Sequence, residues 1–240
     1  MRLVAALLAV LAGQASAQIT AARYAEPTDR YPHGALGTPI TFAAMQVTLA
    51  DGSRRVLRWS SGVVFEDTAP RLVDLDGDGA PEIITVESSE TRGARLAVWG
   101  LDAAGALVAL AATPHLGTRF RWLAVAGAAD LDGDGLVEIA YVDRPHLAQV
   151  LRILRFRRTD AATVTLEEVA AVPGLTNHRF GDAAISGGLR DCAGRLSIVT
   201  ASADWSRVMA TGIDGGNATT VDLGPNDRPD ALARALACKN

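Results

Sequence analysis

Short apolar runs, many alternating with polar positions, recur along this chain with turn-forming residues between them. "FAAMQVTL" (Phe42–Leu49), "RRVLRW" (Arg54–Trp59), "EIITVE" (Glu82–Glu87), "RLAVWG" (Arg95–Gly100) and "ALVALAA" (Ala106–Ala112) open the series. It continues with "WLAVAGA" from Trp122, "EIAYVD" from Glu138, "VLRILRF" from Val150 and "TVTLEEV" from Thr163. "DAAISGG" from Asp182, "LSIVTAS" from Leu196, "RVMATGI" from Arg207 and "NATTVDL" from Asn217 complete it. Turn residues such as Asp51-Gly52, Pro173-Gly174 and Asp214-Gly215-Gly216 separate them. Runs of this kind, spaced by roughly 8–15 residues, predict an all-β fold. The one stretch of helical character is Pro229–Ala237, "PDALARALA".

The runs are organised by a repeat. "DLDGDGAPEIITVE" begins at Asp74 and "DLDGDGLVEIAYVD" at Asp130, 56 residues later. A fixed period of that size predicts stacked or radially arranged units. Each period holds a strand, the acidic loop and three further strands, which is the make-up of a β-propeller blade. A worn third copy, "LRDCAGRLSIVTAS", keeps Asp191 and Gly194. It places Leu189, Ala193 and Ser197 at the other acidic positions and is not expected to hold a metal.

Alternate carboxylates in a tight turn converge on one point. In the first loop the ligand set is Asp74, Asp76, Asp78, the carbonyl of Ala80 and Glu82; in the second it is Asp130, Asp132, Asp134, the carbonyl of Leu136 and Glu138. An all-oxygen cage of this kind suits calcium, so two Ca2+ sites are expected. An EF-hand is excluded, because its twelfth position needs Glu and its flanks need helices. Here that position is Thr85 or Tyr141, and the flanks are strand-like.

Composition and charge narrow the setting. The net charge is −4, with 21% charged residues, which removes the basic footprint of a nucleic-acid binder. "RILRFRR" (Arg152–Arg158) then reads as a solvated outer strand. Residues 1–17, with one Arg, an apolar run and the ending Ala15-Ser16-Ala17, read as a secretory signal peptide, leaving 18–240 as one exported domain without a membrane span. Periplasmic or extracellular placement makes Cys192 and Cys238 a disulfide pair, tethering the C-terminal tail to the worn loop.

"DLDGDGAPEI" and "DLDGDGLVEI" resemble the FG-GAP repeats of integrin alpha-subunit propellers and of bacterial VCBS-repeat proteins. "RFGDAAISGG" (Arg179–Gly188) resembles the Phe-Gly opening of such a blade, and "HGALGTPITF" (His33–Phe42) is a more distant version. The resemblance covers most of residues 30–220. It implies a propeller whose calcium ions brace the turn between the first two strands of each blade, and it implies no activity. Seven blades at this period would need roughly 390 residues. The expectation is a small propeller of about four blades, or an incomplete array completed by a second chain.

At the strand ends opposite the acidic loops, roughly 17–20 Å away, the chain collects residues suited to binding. They are Arg121, Asp143, Arg144, His146, His178, Arg179, Asp204 and Trp205. They form a candidate site for an anionic or carbohydrate ligand. Among enzyme signatures, Gly-x-Ser-x-Gly, His-Glu-x-x-His and a phosphate loop are absent from the sequence. The expected role is a calcium-binding binding or scaffold module for an unidentified protein or small ligand. Two alternatives stay open: a hydrolase or lyase with its site on the calcium-distal face, using a pair such as His146 with Asp143, and an assembly component completed by a partner chain.

Overall fold

The computed structural model describes residues 18–160 and 163–239; the signal-peptide reading of residues 1–17 lies outside them. Strands β1 (Ile19–Thr28), β2 (Thr41–Leu49), β3 (Arg54–Arg58) and β4 (Val63–Phe65) come first. The first repeat follows as β5 (Arg71–Val73), β6 (Glu82–Ser89), β7 (Gly93–Leu101) and β8 (Leu107–Ala112). The second is β9 (Leu123–Ala129), β10 (Glu138–Asp143), β11 (Val150–Arg158) and β12 (Val164–Pro173). After β13 (Leu175–Thr176), the worn repeat supplies β14 (Gly188–Cys192), β15 (Arg195–Ser202), β16 (Arg207–Asp214) and β17 (Asn217–Pro225), and α1 (Ala231–Leu236) ends the series.

These strands form three antiparallel sheets, the first of them eight-stranded. Its order is β1-β2-β4-β6-β7-β8, with β3 on β2 and β5 on β6. The second sheet is β12-β11-β10-β9, and the third is β13-β15-β16-β17 with β14 on β15. The four-strand unit therefore occurs three times. The N-terminal strands do not make a sheet of their own. Short β4 pairs with β2 through Phe42 and Phe65 and with β6 through Val63–Phe65, fusing them to the first repeat. Phe65 is fully buried and stacks on Tyr24 at 5.1 Å, which anchors the junction.

Alternation along the strands explains how the sheets pack. β6 and β10 are buried along their whole length, so each is covered on both faces. Ile139 and Tyr141 of β10, with Leu154 and Phe156 of β11, meet Ile84, Val86, Leu96 and Val98 of the first sheet. Ala140, Val142, Leu151 and Ile153 point the other way and meet Ile198 and Ile213 of the third sheet. One strand pair thus serves two cores. The outer strands β12 and β17 are half-exposed.

Two segments cross between sheets without regular structure. "DAAISGG", expected as a strand, is irregular as far as Gly187; Gly187 and Gly188 both have positive φ. This segment meets the one containing Ala35, whose carbonyl accepts the amide of Gly181 at 2.8 Å. A Cβ on Gly37 would lie 2.5 Å from the carbonyl oxygen of Gly181, so only glycine permits the crossing.

The expected disulfide joins Cys192 and Cys238 across 46 residues. It fixes α1, whose Ala235 packs with Val199 and Val208 against the third sheet. Few apolar contacts hold this short helix, so the cross-link carries much of its anchoring. Reduction, or Cys238→Ser, is expected to cost about 3–4 kcal/mol of stability. It should also raise amide exchange first in α1 and β14. Identical urea midpoints with and without reductant would contradict this.

Candidate functional site

The acidic loops join the first and second strands of the first two repeats. Each is shaped by its own leading aspartate. Asp74 accepts the amides of Gly77 (2.8 Å) and Gly79 (3.0 Å); Asp130 accepts those of Gly133 (2.7 Å), Asp134 (3.1 Å) and Gly135 (2.8 Å). A buried glutamate closes each turn, Glu82 on the amide of Leu75 (2.9 Å) and Glu138 on that of Leu131 (2.8 Å). Asp78 and Asp134 each spend one oxygen on the amide of Ala80 (2.7 Å) or Leu136 (2.9 Å). Carboxylate oxygens of Asp74, Asp76 and Asp78 lie within 4.8 Å of one another, and so do those of Asp130, Asp132 and Glu138.

So much negative charge needs a counter-charge, and β11 supplies part of it. Arg155 stands directly across the ladder from Glu138. It donates to Glu138 (2.6 Å), Asp132 (2.7 Å) and Asp134 (2.9 Å). The first repeat lacks an equivalent, because the pairing of Ile83 with Trp99 puts Gly100 opposite Glu82. Arg158 reaches over from the second sheet instead, 2.6 Å from Asp76 and 3.8 Å from Glu82. Parity decides this: Arg158 leaves β11 on the same side as Leu154 and Phe156, facing the first sheet. The reading of Arg152–Arg158 as a solvated strand is corrected on this point. Arg152 is also paired, with Asp143 (3.1 Å) and Glu168 (2.5 Å).

The compensation is partial. Four carboxylates share one guanidinium at each loop. Burial pushes Glu82 up to about 7, against the opposing pull of the Leu75 amide. Burial also raises Glu138, against the Leu131 amide and Arg155. Asp132 Oδ1 is buried without a hydrogen-bond partner, on a side chain only 9% exposed. An orphaned carboxylate oxygen inside an all-oxygen cluster fits a hard divalent cation.

The family described as FG-GAP-like repeat matches residues 74–141, from the first acid of the first loop to a strand beyond the second. This stretch of the chain carries FG-GAP-like repeats. No curated protein matches the chain. The matched span holds both acidic loops and stops short of Arg155 and Arg158, so the arginine compensation lies outside the part on which the family likeness rests.

At the opposite end of the repeats the predicted rim residues divide into three groups. Arg121, Arg144 and His146 line one cavity of about 260 Å³, with His33, Phe120, Trp122 and Phe180. Asp143 and His178 are buried beside it. Asp143 is held by Arg144 (2.7 Å) and Arg152, so it does not orient His146, and the pairing a hydrolase would need is not formed. His146 Nε2 instead lies 3.0 Å from His178 Nδ1, while His178 Nε2 lies 2.9 Å from the carbonyl of Asp182. A carbonyl only accepts, so His178 donates from Nε2 and His146 donates to Nδ1, giving a chain of neutral rings. The third group stands apart: the Arg179 guanidinium lies 4.1 Å from the Trp205 ring centroid, and Asp204 caps a turn through Ser202 and Ser206.

Sequence reading had not assigned His33, Phe120 or Phe180 to the cavity. The signal was the alternation of arginine with aromatic residues in "RFRW" and "HRF". His33 Nδ1 is 2.7 Å from Glu66 Oε1, and the Trp122 indole donates to the Glu66 carbonyl (2.8 Å). Among the described residues, no helix is long and apolar enough to cross a membrane.

Two outcomes are expected. Removing Arg155 strands Glu138, which is fully buried, without its cation. In chelator, Arg155→Gln should lose about 3–5 kcal/mol by urea unfolding. Arg157→Gln, an exposed change on the same strand, should stay within about 0.5 kcal/mol. Equal effects of the two would refute the role given to Arg155. The second outcome concerns pH. Burial, reinforced by His178 and His33, lowers His146 from 6.5 to about 4, and burial lowers His178 as well. A base with a depressed folded pKa contributes stability above 6.5 that is lost as pH falls toward 4. The melting temperature should fall through that window, and His146→Gln should flatten the fall. Parallel curves for the two proteins would contradict it.

Proposed function

We propose that this chain is a calcium-binding propeller-type module that serves binding or scaffolding rather than catalysis. The observation that carries the reading is the recurrence of one loop at one place in two adjacent repeats, with three carboxylates converging in each and one buried oxygen unpartnered. Calcium would take Asp74, Asp76, Asp78 and Glu82 in the first loop, and Asp130, Asp132, Asp134 and Glu138 in the second. The backbone carbonyls of Ala80 and Leu136 would complete the two sets. Three four-strand units, with the fused N-terminal strands in the place of a fourth, support a small propeller-like arrangement. The disulfide supports an exported protein.

A cation bound only by the folded state stabilises it by RT ln(1 + [L]/Kd), about 2.7 kcal/mol at a hundredfold excess over Kd. Calcium should therefore raise the melting temperature of chelator-treated protein with saturation, and Asp76→Asn with Asp132→Asn should remove most of the rise. Magnesium should substitute poorly, because it demands a tighter octahedral shell. Identical melting with calcium and with chelator would end the calcium reading.

A further inference from the structure

The aromatic cavity opposite the acidic loops is built with an economy that folding alone does not require. The whole chain has twelve aromatic residues (Phe 5, Trp 4, Tyr 3) and four histidines. Tyr31, Phe120, Trp122 and Phe180, with three of the histidines, meet here. His33 stacks on Phe120 (5.1 Å), and Phe180 stands edge-on to both His33 (5.9 Å) and His146 (5.4 Å). At its mouth Phe180 and Leu147 are each 61% exposed. Large apolar side chains left open around one concavity mark a place where something apolar is meant to sit.

The backbone of the wall is strained. Phe120 has φ 61° and Arg144 φ 47°, in the left-handed region that bulky residues avoid. Such outliers persist where the surroundings hold them, and they concentrate at binding sites. Both belong to the cavity lining.

Charge selects the ligand. Arg144 is committed to buried Asp143, and His33 to Glu66. Arg121 is different: its guanidinium has no partner among the described residues. Half-buried His146 stays neutral at physiological pH, so Arg121 is the uncommitted positive charge among the described residues of the wall. A sugar would need acceptors for its hydroxyls, and the neighbouring carboxylates, Asp143 and Glu66, are already taken. The Trp122 face is covered by His146 at 6.2 Å, which removes the platform a sugar ring would use. A cavity of about 260 Å³ holds one ring and a small head group.

We propose that this cavity binds a small aryl carboxylate, with its ring against the exposed Phe180 and Leu147 and its carboxylate on Arg121. The proposal deepens the binding-module reading and rests on it. Its failure would leave the calcium response of the loops, which tests that reading, untouched. The probe is benzoate, titrated into the full chain in calcium and followed by ligand-observed NMR, with benzyl alcohol and glucuronate as controls. Benzoate should saturate and bind roughly tenfold or more tightly than either control, because the guanidinium contact is charged. Arg121→Gln and Phe180→Ala should each weaken benzoate by about tenfold, without changing the melting temperature. If Arg121→Gln melts early, the exposed Phe180 decides. Benzoate binding no better than benzyl alcohol, glucuronate binding equally well, no saturation, or indifference to Phe180→Ala would each overturn the proposal.

Discussion

Four carboxylates drawn into one β-turn repel each other, and a turn that buries its closing glutamate must either keep that group protonated or bring positive charge with it. In this chain that requirement governs more than the loops. Arg155 meets it within its own hairpin, standing opposite Glu138. The first loop has Gly100 at the corresponding place, and its cation arrives from the neighbouring sheet as Arg158. Neutralising a turn and docking one sheet on the next become the same contact. It is backed by the apolar layer of Ile139, Tyr141, Leu154 and Phe156 on the same side of the strands.

The far end of the repeats is built on the opposite principle. Charges there are paired away from the open space: Asp143 with two arginines, Glu66 with His33 and Ser88. What remains exposed is aromatic. The segments that cross between sheets, through Ala35 and Gly181, carry His33 and Phe180 to this end, so the crossing itself assembles the cavity. The two ends of one four-strand unit thus present a cluster of carboxylate oxygens and an apolar hollow in which, among the described residues, Arg121 is uncommitted.

Much of this was legible in the sequence, for a reason specific to each element. The acidic loops were readable because their carboxylates are local, spaced by the turn itself. The long strands were readable from alternation, and the disulfide from two cysteines in a chain expected to be exported. Other features depend on what lies across a sheet. Three-residue β4 and β5 are too short for a period to show, and the fusion of the first sheet hangs on β4. In "RILRFRR" alternation separates two faces but does not say that one looks onto the acidic turn of another repeat. The rim residues divided because backbone conformation intervened. Arg144 and Trp205 both sit at positive φ, which the sequence does not announce, and Trp205 pairs with Arg179 away from the cavity.

The central claim is that cations hold the acidic loops together and that Arg158 is one of them, binding two sheets as it does so. A double-mutant cycle of Arg158→Gln with Asp76→Asn, read by urea unfolding in chelator and again in calcium, tests it most directly. The account predicts a coupling of about 1 kcal/mol or more in chelator, since both side chains are largely buried. It predicts a smaller coupling in calcium, where the proposed metal would share Asp76. Additive effects of the two changes in chelator would contradict it.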